Sequence, residues 1–465
     1  EAKMSERYRI EKDSLGEVQV PLDALYGAQT QRALENFPIS GYRFSRRFIQ
    51  ALGLIKQYAA TVNEELGYID ATLASAIVKA ASEVAAGEWD EAFVLDIYQT
   101  GSGTSTNMNA NEVIARRANQ ILESDSVHPN DHVNFGQSSN DVIPSAIHIA
   151  SRISLELDLI PALNRLKDAL SQKAEEFDDV VKSGRTHLMD ATPVRLGQQF
   201  GGYAHQIDKG IQRVKLGSNE LVELALGGTA VGTGINTHPD FAKRTISRIS
   251  EALSLEFCEA ENHFEAQAAK DGIVQLSGCL NTLATSYFKI ADDLRWLASG
   301  PTSGLSEIQL PAVQPGSSIM PGKVNPVMSE AMMMVAARVM GNHTTATIAG
   351  QRGNFELNVT MPLLAYTTLE SIRLLANMAR VFADRCVQGI TVNEQRTKEL
   401  LEKNPSIATA LNTFIGYDKA SEVAKEAARE GVSVREIVRR HNLIDPDKID
   451  DALDVRKMTE PGLPE

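Results

Sequence analysis

The chain has 465 residues, 43% of them hydrophobic, enough for about three domains of ordinary size around a large buried core. Its 46 Lys and Arg stand against 60 Asp and Glu, and the formal net charge of −14 argues against nucleic acid and anionic membrane surfaces as partners. An anionic ligand would have to be held by a local cluster of donors, because the global field repels it. Three scattered cysteines, Cys258, Cys279 and Cys386, make neither a disulfide framework nor a CxxC metal pair, which suits a reducing cytoplasm. No uncharged apolar run reaches the ~18 residues of a membrane span, so none is expected. The opening EAKMSERYRIEKD is charged throughout and lacks the apolar core of a signal peptide, with Met4 a candidate natural start.

In chain order, LGEVQVPLDALYGAQT (15–30) carries the clearest alternating pattern and reads as a short strand pair. FIQALGLIKQYAATVNEELG (48–67) reads as an amphipathic helix. From about residue 140 helical periodicity takes over. Leu159, Leu163, Leu166, Leu170, Ala174, Phe177 and Val181 step by three or four. Over 267–298 the pattern is stricter: Ile273, Leu276, Leu280, Leu283, Tyr287, Ile290, Leu294 and Leu297 alternate such steps without a break, which predicts a long bundle helix with a narrow seam. Leu369, Ile372 and Leu375 begin another. Helices with so much apolar surface predict a homo-oligomer rather than a monomeric bundle. After GITVNEQRT (389–397) shorter charged helices follow, with turns at Asn404-Pro405 and Asp445-Pro446. The expected division is an N-terminal mixed helical domain (1–139), a central helical bundle (140–393) and a small C-terminal helical domain (394–465), in a mainly α fold.

Four polar islands interrupt the helices: QTGSGTSTNMNANE (99–112), GQSSNDVIP (136–144), SGRTHLMDATP (183–193) and PGSSIMPGKVNP (315–326). Each sets Ser, Thr or Asn beside glycine or just ahead of a helix-start signal. In the last, Asn325 suits an N-cap and Pro326 the first helical position, and Thr192-Pro193 has the same logic. Helix N-termini favour anions, so converging islands would make a socket of neutral donors, with Lys323 and Arg185 as candidate cations and a small di- or tricarboxylate as occupant. Any one island reads equally well as an ordinary cap and turn; four of the same composition argue for a site. The last island is no phosphate loop, because five residues separate Gly316 from Gly322, one too many, and Val324 follows Lys323. Nor is GSGTST a dinucleotide fingerprint, for it lacks the third glycine and no convincing strand precedes it.

With these segments in view, GSSIMPGKVNP (316–326) resembles the signature of the fumarase/aspartase superfamily, and essentially the whole chain closely resembles the class II fumarases. Three positions separate them from aspartases: Ser102, where aspartases typically carry alanine; Ser139, where they usually show threonine; and Gly322, where they tend to have alanine. SGRTHLMDATPV and GNFELNV also look like fumarase. The argininosuccinate and adenylosuccinate lyases share the Ser-Ser-x-Met-Pro-x-Lys core and differ widely elsewhere. The resemblance implies a mainly α, three-domain architecture whose long-helix bundle forms a tetrameric core. It implies a cytoplasmic, cofactor-free and metal-free fumarate hydratase of the citric acid cycle, catalysing reversible anti elimination of water from (S)-malate through an aci-carboxylate. The expected partners are the dicarboxylate substrate and further copies of the chain, three subunits building each active site. The rival readings are another lyase of the superfamily, such as aspartase, or a catalytically silent helical protein like the lens proteins that reuse the scaffold.

The same resemblance supplies residue roles. Ser317 would be the base, in a loop whose glycines, backbone N–H groups and Lys323 could stabilise its alkoxide. His187 would handle the proton of the C2 hydroxyl, with Glu330 orienting it, though sequence leaves open which of Ser317 and His187 is base and which is acid. Carboxylate binding falls to Ser102, Gly103, Thr104, Ser138, Ser139, Asn140, Thr186, Ser318, Lys323, Val324 and Asn325. HPND resembles a second anion site, comprising His128, Pro129, Asn130 and Asp131. A metal reading of that segment with His132 is set aside because Pro129 breaks helical geometry. His148 and His205 are expected to be structural, and the methionines of EAMMMVAARVM to be bundle core. His343 stands where relatives commonly carry aspartate.

Overall fold

The computed structural model describes residues 7–462, so Met4 lies outside the described residues. A hairpin opens it: β1 (Tyr8–Asp13) pairs antiparallel with β2 (Gly16–Pro21). Only β2 falls in the 15–30 segment read as a strand pair; its partner precedes that segment, whose last residues, from Ala28, begin a helix. Helices α1 (Ala28–Asn36), α2 (Arg46–Glu65), α3 (Ala71–Ala86), α4 (Thr104–Leu122), α5 (Ser139–Ser154) and α6 (Ile160–Glu176) follow. A second hairpin, β3 (Val181–Thr186) with β4 (Met189–Arg195), leads into α7 (Leu196–Asn219). Next come β5 (Glu223–Leu224), α8 (Phe241–Leu253), β6 (Cys258–Glu259) and α9 (His263–Ala268). The long helices α10 (Asp271–Leu297), α11 (Val327–Gly350) and α12 (Met361–Arg385) are separated by β7 (Ile308–Gln309) and by a tight pair, β8 (Gly353–Asn354) with β9 (Leu357–Asn358). The strand β10 (Thr391–Val392) pairs with β7, and the short helices α13 (Glu394–Glu402), α14 (Asn412–Ile415), α15 (Tyr417–Glu430), α16 (Val434–Arg440) and α17 (Ile449–Ala452) close the chain. The fold is therefore mainly α.

The heptad reading holds in α10, where all eight seam positions from Ile273 to Leu297 are buried. Helix α2 is more buried than an amphipathic helix need be, with Leu52, Ile55, Ala59 and even Lys56 withdrawn from water. Helix α3 carries both local signals of its ends: Asp70 accepts from the Thr72 amide, and Gly87 in the left-handed region follows its last residue. The methionine stretch on α11 is only partly core, since Met332 is buried and Met334 is exposed. The short C-terminal helices enclose a cluster of Leu401, Ile407, Leu411, Val423, Ile437 and Val438.

By contacts the chain forms two compact units, each built from three segments. One comprises Glu1–Pro161, Gln212–Ala284 and Ala337–Ala376; the other comprises Ala162–Ile211, Thr285–Ala336 and Asn377–Glu465. No helix among the described residues is long and apolar enough to cross a membrane.

Candidate active site

In the first unit two islands lie at helix starts, as expected. Gly103, with φ of 73°, immediately precedes α4, and the hydroxyls of Ser102 and Thr104 lie 2.7 Å apart in front of it. Ser138 caps α5 through a full capping box, accepting from the Asn140 amide while Asp141 accepts from the Ser138 amide at 2.9 Å. Asn140 Nδ2 donates to the Ala230 carbonyl at 2.8 Å. Asn107 on α4 ties the two islands together, donating weakly to Ser139 Oγ at 3.4 Å and to Asn134 Oδ1 at 3.2 Å.

Beneath these islands lie two buried charges. Asp141 is wholly buried and also accepts from the amides of Gly227 and Thr229, both at 3.0 Å, so it pins a second loop against α5. Burial pushes its carboxyl up, against the pull of those three amides and of Lys56. Lys56, equally buried, donates to Asn134 Oδ1 and Gln137 Oε1, both at 2.9 Å, and burial lowers its pKa to about 7. The signal in sequence was a lysine on the apolar face of α2, between Ile55 and Ala59.

The second anion-site segment also lies in this unit. His128 caps a wide helical turn over Pro129–Val133, its Nδ1 accepting from the amides of Asn130 at 3.3 Å and Asp131 at 3.2 Å. His132 Nδ1 in turn accepts from the His128 amide at 2.8 Å. His128, Pro129 and Asn130 border a groove of about 840 Å³ whose other walls include Arg116, Asn119 and Gln29, while Asp131 faces a separate hollow of about 640 Å³ beside Tyr68 and His238. His343 on α11 bonds Ser277 Oγ at 3.1 Å.

The second unit holds the other islands. The segment 183–193 is not a helix start, contrary to the Thr192-Pro193 reading. It is the β3–β4 hairpin, with a register shift at Ser183/Gly184 that accommodates Pro193 in β4. Thr186 pairs with Met189, leaving His187 and Leu188 as a two-residue turn with φ of 58° and 60°. That is the turn geometry hairpins favour, normally built from Asn-Gly. His187 therefore sits exposed at the tip of a strained turn. Arg185 is no free cation for a ligand: it is committed to Glu307 through two bonds of 2.8 and 3.1 Å, and Lys182 lies 3.5 Å from the same carboxylate. Burial lowers Lys182, opposed by that carboxylate. No local pattern announced Glu307.

The loop 315–326 folds on itself. A Cβ at Gly316 would sit 2.1 Å from the Lys323 carbonyl oxygen, so only glycine permits this approach. Asn325 does not cap α11, as its position had suggested. Its Nδ2 donates to the Gly316 carbonyl at 2.6 Å and closes the loop, and α11 begins at Val327. Within that closure Ser317 Oγ accepts two main-chain amides, Ile319 at 3.2 Å and Met320 at 3.0 Å. Ser318, Lys323 and Val324 are exposed, and Lys323 makes no ion pair among the described residues. Glu330, in the first turn of α11, is exposed as well. Among the described residues of one chain, no hydrogen bond or ion pair joins His187 to Glu330 or to Ser317.

One unit sets hydroxyls and side-chain amides at two helix starts; the other holds a serine by two amides in the loop of Lys323, which makes no ion pair among the described residues, and these are the groups that a lyase acting on an anionic substrate needs. Residues 16–341 match the family described as "Lyase", and 407–460 match "Fumarase C C-terminus". A fumarate hydratase class II from Halobacterium salinarum is 54% identical over 464 residues, covering 99% of each chain. One from Xylella fastidiosa is 52% identical over 459 residues, covering 99% of this chain and 97% of its own. The crystal structure of recombinant class II fumarase from Schistosoma mansoni superposes with a TM-score of 0.95 at 40% identity, over 98% of this chain and all of its own. The chain belongs to the class II fumarate hydratase family.

Proposed function

We propose that this chain is a fumarate hydratase that interconverts (S)-malate and fumarate by anti elimination and addition of water, a step of the citric acid cycle. The observation that carries the chemistry is Ser317 Oγ, held by the amides of Ile319 and Met320. A serine hydroxyl is a poor base; two N–H donors aimed at its oxygen stabilise the alkoxide that could take the C3 proton. The electron pair released from that C–H bond moves onto the adjacent carboxylate, forming a dianionic aci-carboxylate. Each well-placed donor to such an oxyanion contributes roughly 3 kcal/mol. Ser102, Thr104, Ser138, Ser139, Asn140, Thr186, Ser318 and Asn325 are the proposed donors, Gly103 and Val324 shape the site, and Lys323 offsets the charge. Collapse of the intermediate expels the C2 hydroxyl, which leaves as water with a proton from His187, oriented by Glu330.

The reading requires more than one copy of the chain. His187 and Glu330 are both exposed, and among the described residues no hydrogen bond or ion pair joins them; this is compatible with a homotetramer whose neighbouring subunits complete each site. The three-domain division 1–139, 140–393 and 394–465 and a cytoplasmic location belong to the same proposal. The C-terminal core cluster supports the last boundary. His128 to Asp131 would form a second anion site outside the catalytic one.

The test is absorbance of the fumarate double bond, with malate or aspartate offered in parallel and Ser317→Ala alongside. Malate turnover that is lost in the variant supports hydratase and base together. Aspartate turnover would overturn the choice made on Ser102, Ser139 and Gly322. A fully active monomer in sedimentation would overturn the shared site.

A further inference from the structure

Lys56 is wholly buried in the middle of α2, and among the described residues no carboxylate lies within ion-pair reach of its Nζ. Taking an ammonium out of water costs several kcal/mol unless its protons are satisfied. Here the acceptors are two side-chain amide oxygens, Asn134 Oδ1 and Gln137 Oε1. As an ammonium, a lysine can only donate, so it decides which way both amides face. Asn134 must turn its oxygen inward, and its Nδ2 donates to the Gln137 carbonyl at 3.2 Å; Gln137 Nε2 likewise faces the carbonyls of Val133 and Phe135.

The orientation passes on. Asn134 Oδ1 also accepts from Asn107 Nδ2, so Asn107 must present its amino group on that side. The same Nδ2 reaches Ser139 Oγ, while among the described residues Asn107 Oδ1 is buried without a hydrogen-bond partner. Leaving a buried carbonyl oxygen unpartnered is unfavourable, so something must hold Asn107 in this orientation. An outward flip of Asn107 would face that oxygen toward Asn134 Oδ1, and the fixed acceptor there prevents it. Ser139 Oγ thus accepts from Asn107, which leaves its own O–H as a donor.

We propose that Lys56 is a positioning residue that sets the polarity of the relay Lys56–Asn134–Asn107–Ser139, so that the Ser139 hydroxyl is a donor to a substrate carboxylate. This rests on reading Ser139 as a carboxylate-binding residue. Asp141, buried on the neighbouring helix and bonded to three main-chain amides, balances the charge without taking Lys56's protons.

The test uses Lys56→Met, Asn134→Leu and the double variant in the full-length protein, with the dissociation constant of succinate, a saturated four-carbon dicarboxylate, as the main readout. Each single variant should weaken succinate binding about tenfold and raise the KM for malate by a similar factor, with kcat changed less. Because both substitutions cut one relay, the double variant should match the singles rather than multiply their effects. Unchanged succinate affinity with only a lowered melting temperature would overturn the proposal, as would multiplied effects in the double variant. If Lys56→Met does not fold, an Asn134→Leu protein with parental affinity overturns it alone. Malate turnover by the unaltered enzyme tests the hydratase reading separately; a parent that binds no dicarboxylate sinks both.

Discussion

Arg185 and Glu307, 122 positions apart, are joined by two hydrogen bonds, and the Glu307 carboxylate is entirely shielded from water. Arg185 lies on β3 two residues before His187, so this pair anchors the strand that carries the hairpin tip. Removing one partner of a buried pair strands the other, at a cost of about 3–5 kcal/mol. Glu307→Ala leaves both Arg185 and Lys182 uncompensated. It should lose stability on that scale in urea unfolding and lower malate kcat/KM more than tenfold through displacement of His187. Retention of both would show that β3 is held by other means.

The turn at His187-Leu188 stores strain, since two non-glycine residues occupy the left-handed region. That conformation costs a side-chain-bearing residue roughly 1–2 kcal/mol. Leu188 is 68% exposed, so little burial is lost on replacing it. Leu188→Gly should therefore stabilise the protein by about 0.5–1 kcal/mol, after the glycine's own entropy cost, seen as a raised unfolding midpoint. A lowered midpoint would mean that Leu188 is held by contacts worth more than the strain.

Two glycines of the 315–326 loop should respond differently to alanine. At Gly316 the new methyl meets the Lys323 backbone at 2.1 Å, whereas at Gly322 nothing lies within 4 Å and only φ of 78° resists it. Gly316→Ala must open the loop and shift Ser317, and displacement near 1 Å costs about a hundredfold in rate. Gly322→Ala should cost less than about tenfold, the price of one left-handed residue. Malate turnover by the two variants compares them directly, and equal losses would mean that the close approach at Gly316 does not position Ser317.

His148 on α5 links stability to pH. Its Nδ1 lies 2.8 Å from the Glu223 carbonyl oxygen. Burial, reinforced by Lys270, drives its pKa from 6.5 to about 4. A histidine with a depressed folded pKa binds fewer protons folded than unfolded, so its contribution is complete above the unfolded value of 6.5 and is lost as pH falls toward 4. Unfolding free energy should drop by about 3 kcal/mol across that window, and His148→Asn should flatten this part of the profile. An unchanged slope in the variant would rule out His148 as its source.

Much of the fold could be read along the chain because its signals are local. The seam of α10 repeats within a few residues, and a buried stripe on a helix has to follow the helical period. The capping box at Ser138 spans a single turn, and the family signature at 316–326 is contiguous. Local signals also misled. Thr192-Pro193 resembles a helix start but lies in β4, where pairing with β3 overrides propensity. Asn325 resembles a cap, but its amide closes the loop on Gly316.

Sequence by itself determined the helical class, the positions of the polar islands and, through the signature, Ser317 as the residue to watch. Tertiary structure alone decided which polar groups are already taken. Arg185 looked available until Glu307 met it, and Lys56 looked like one more helix residue until Asn134 and Gln137 received its protons. The physical reason is that periodicity depends on neighbours in the chain, while a buried charge or amide is satisfied by whatever the fold brings within about 3 Å, however distant in sequence.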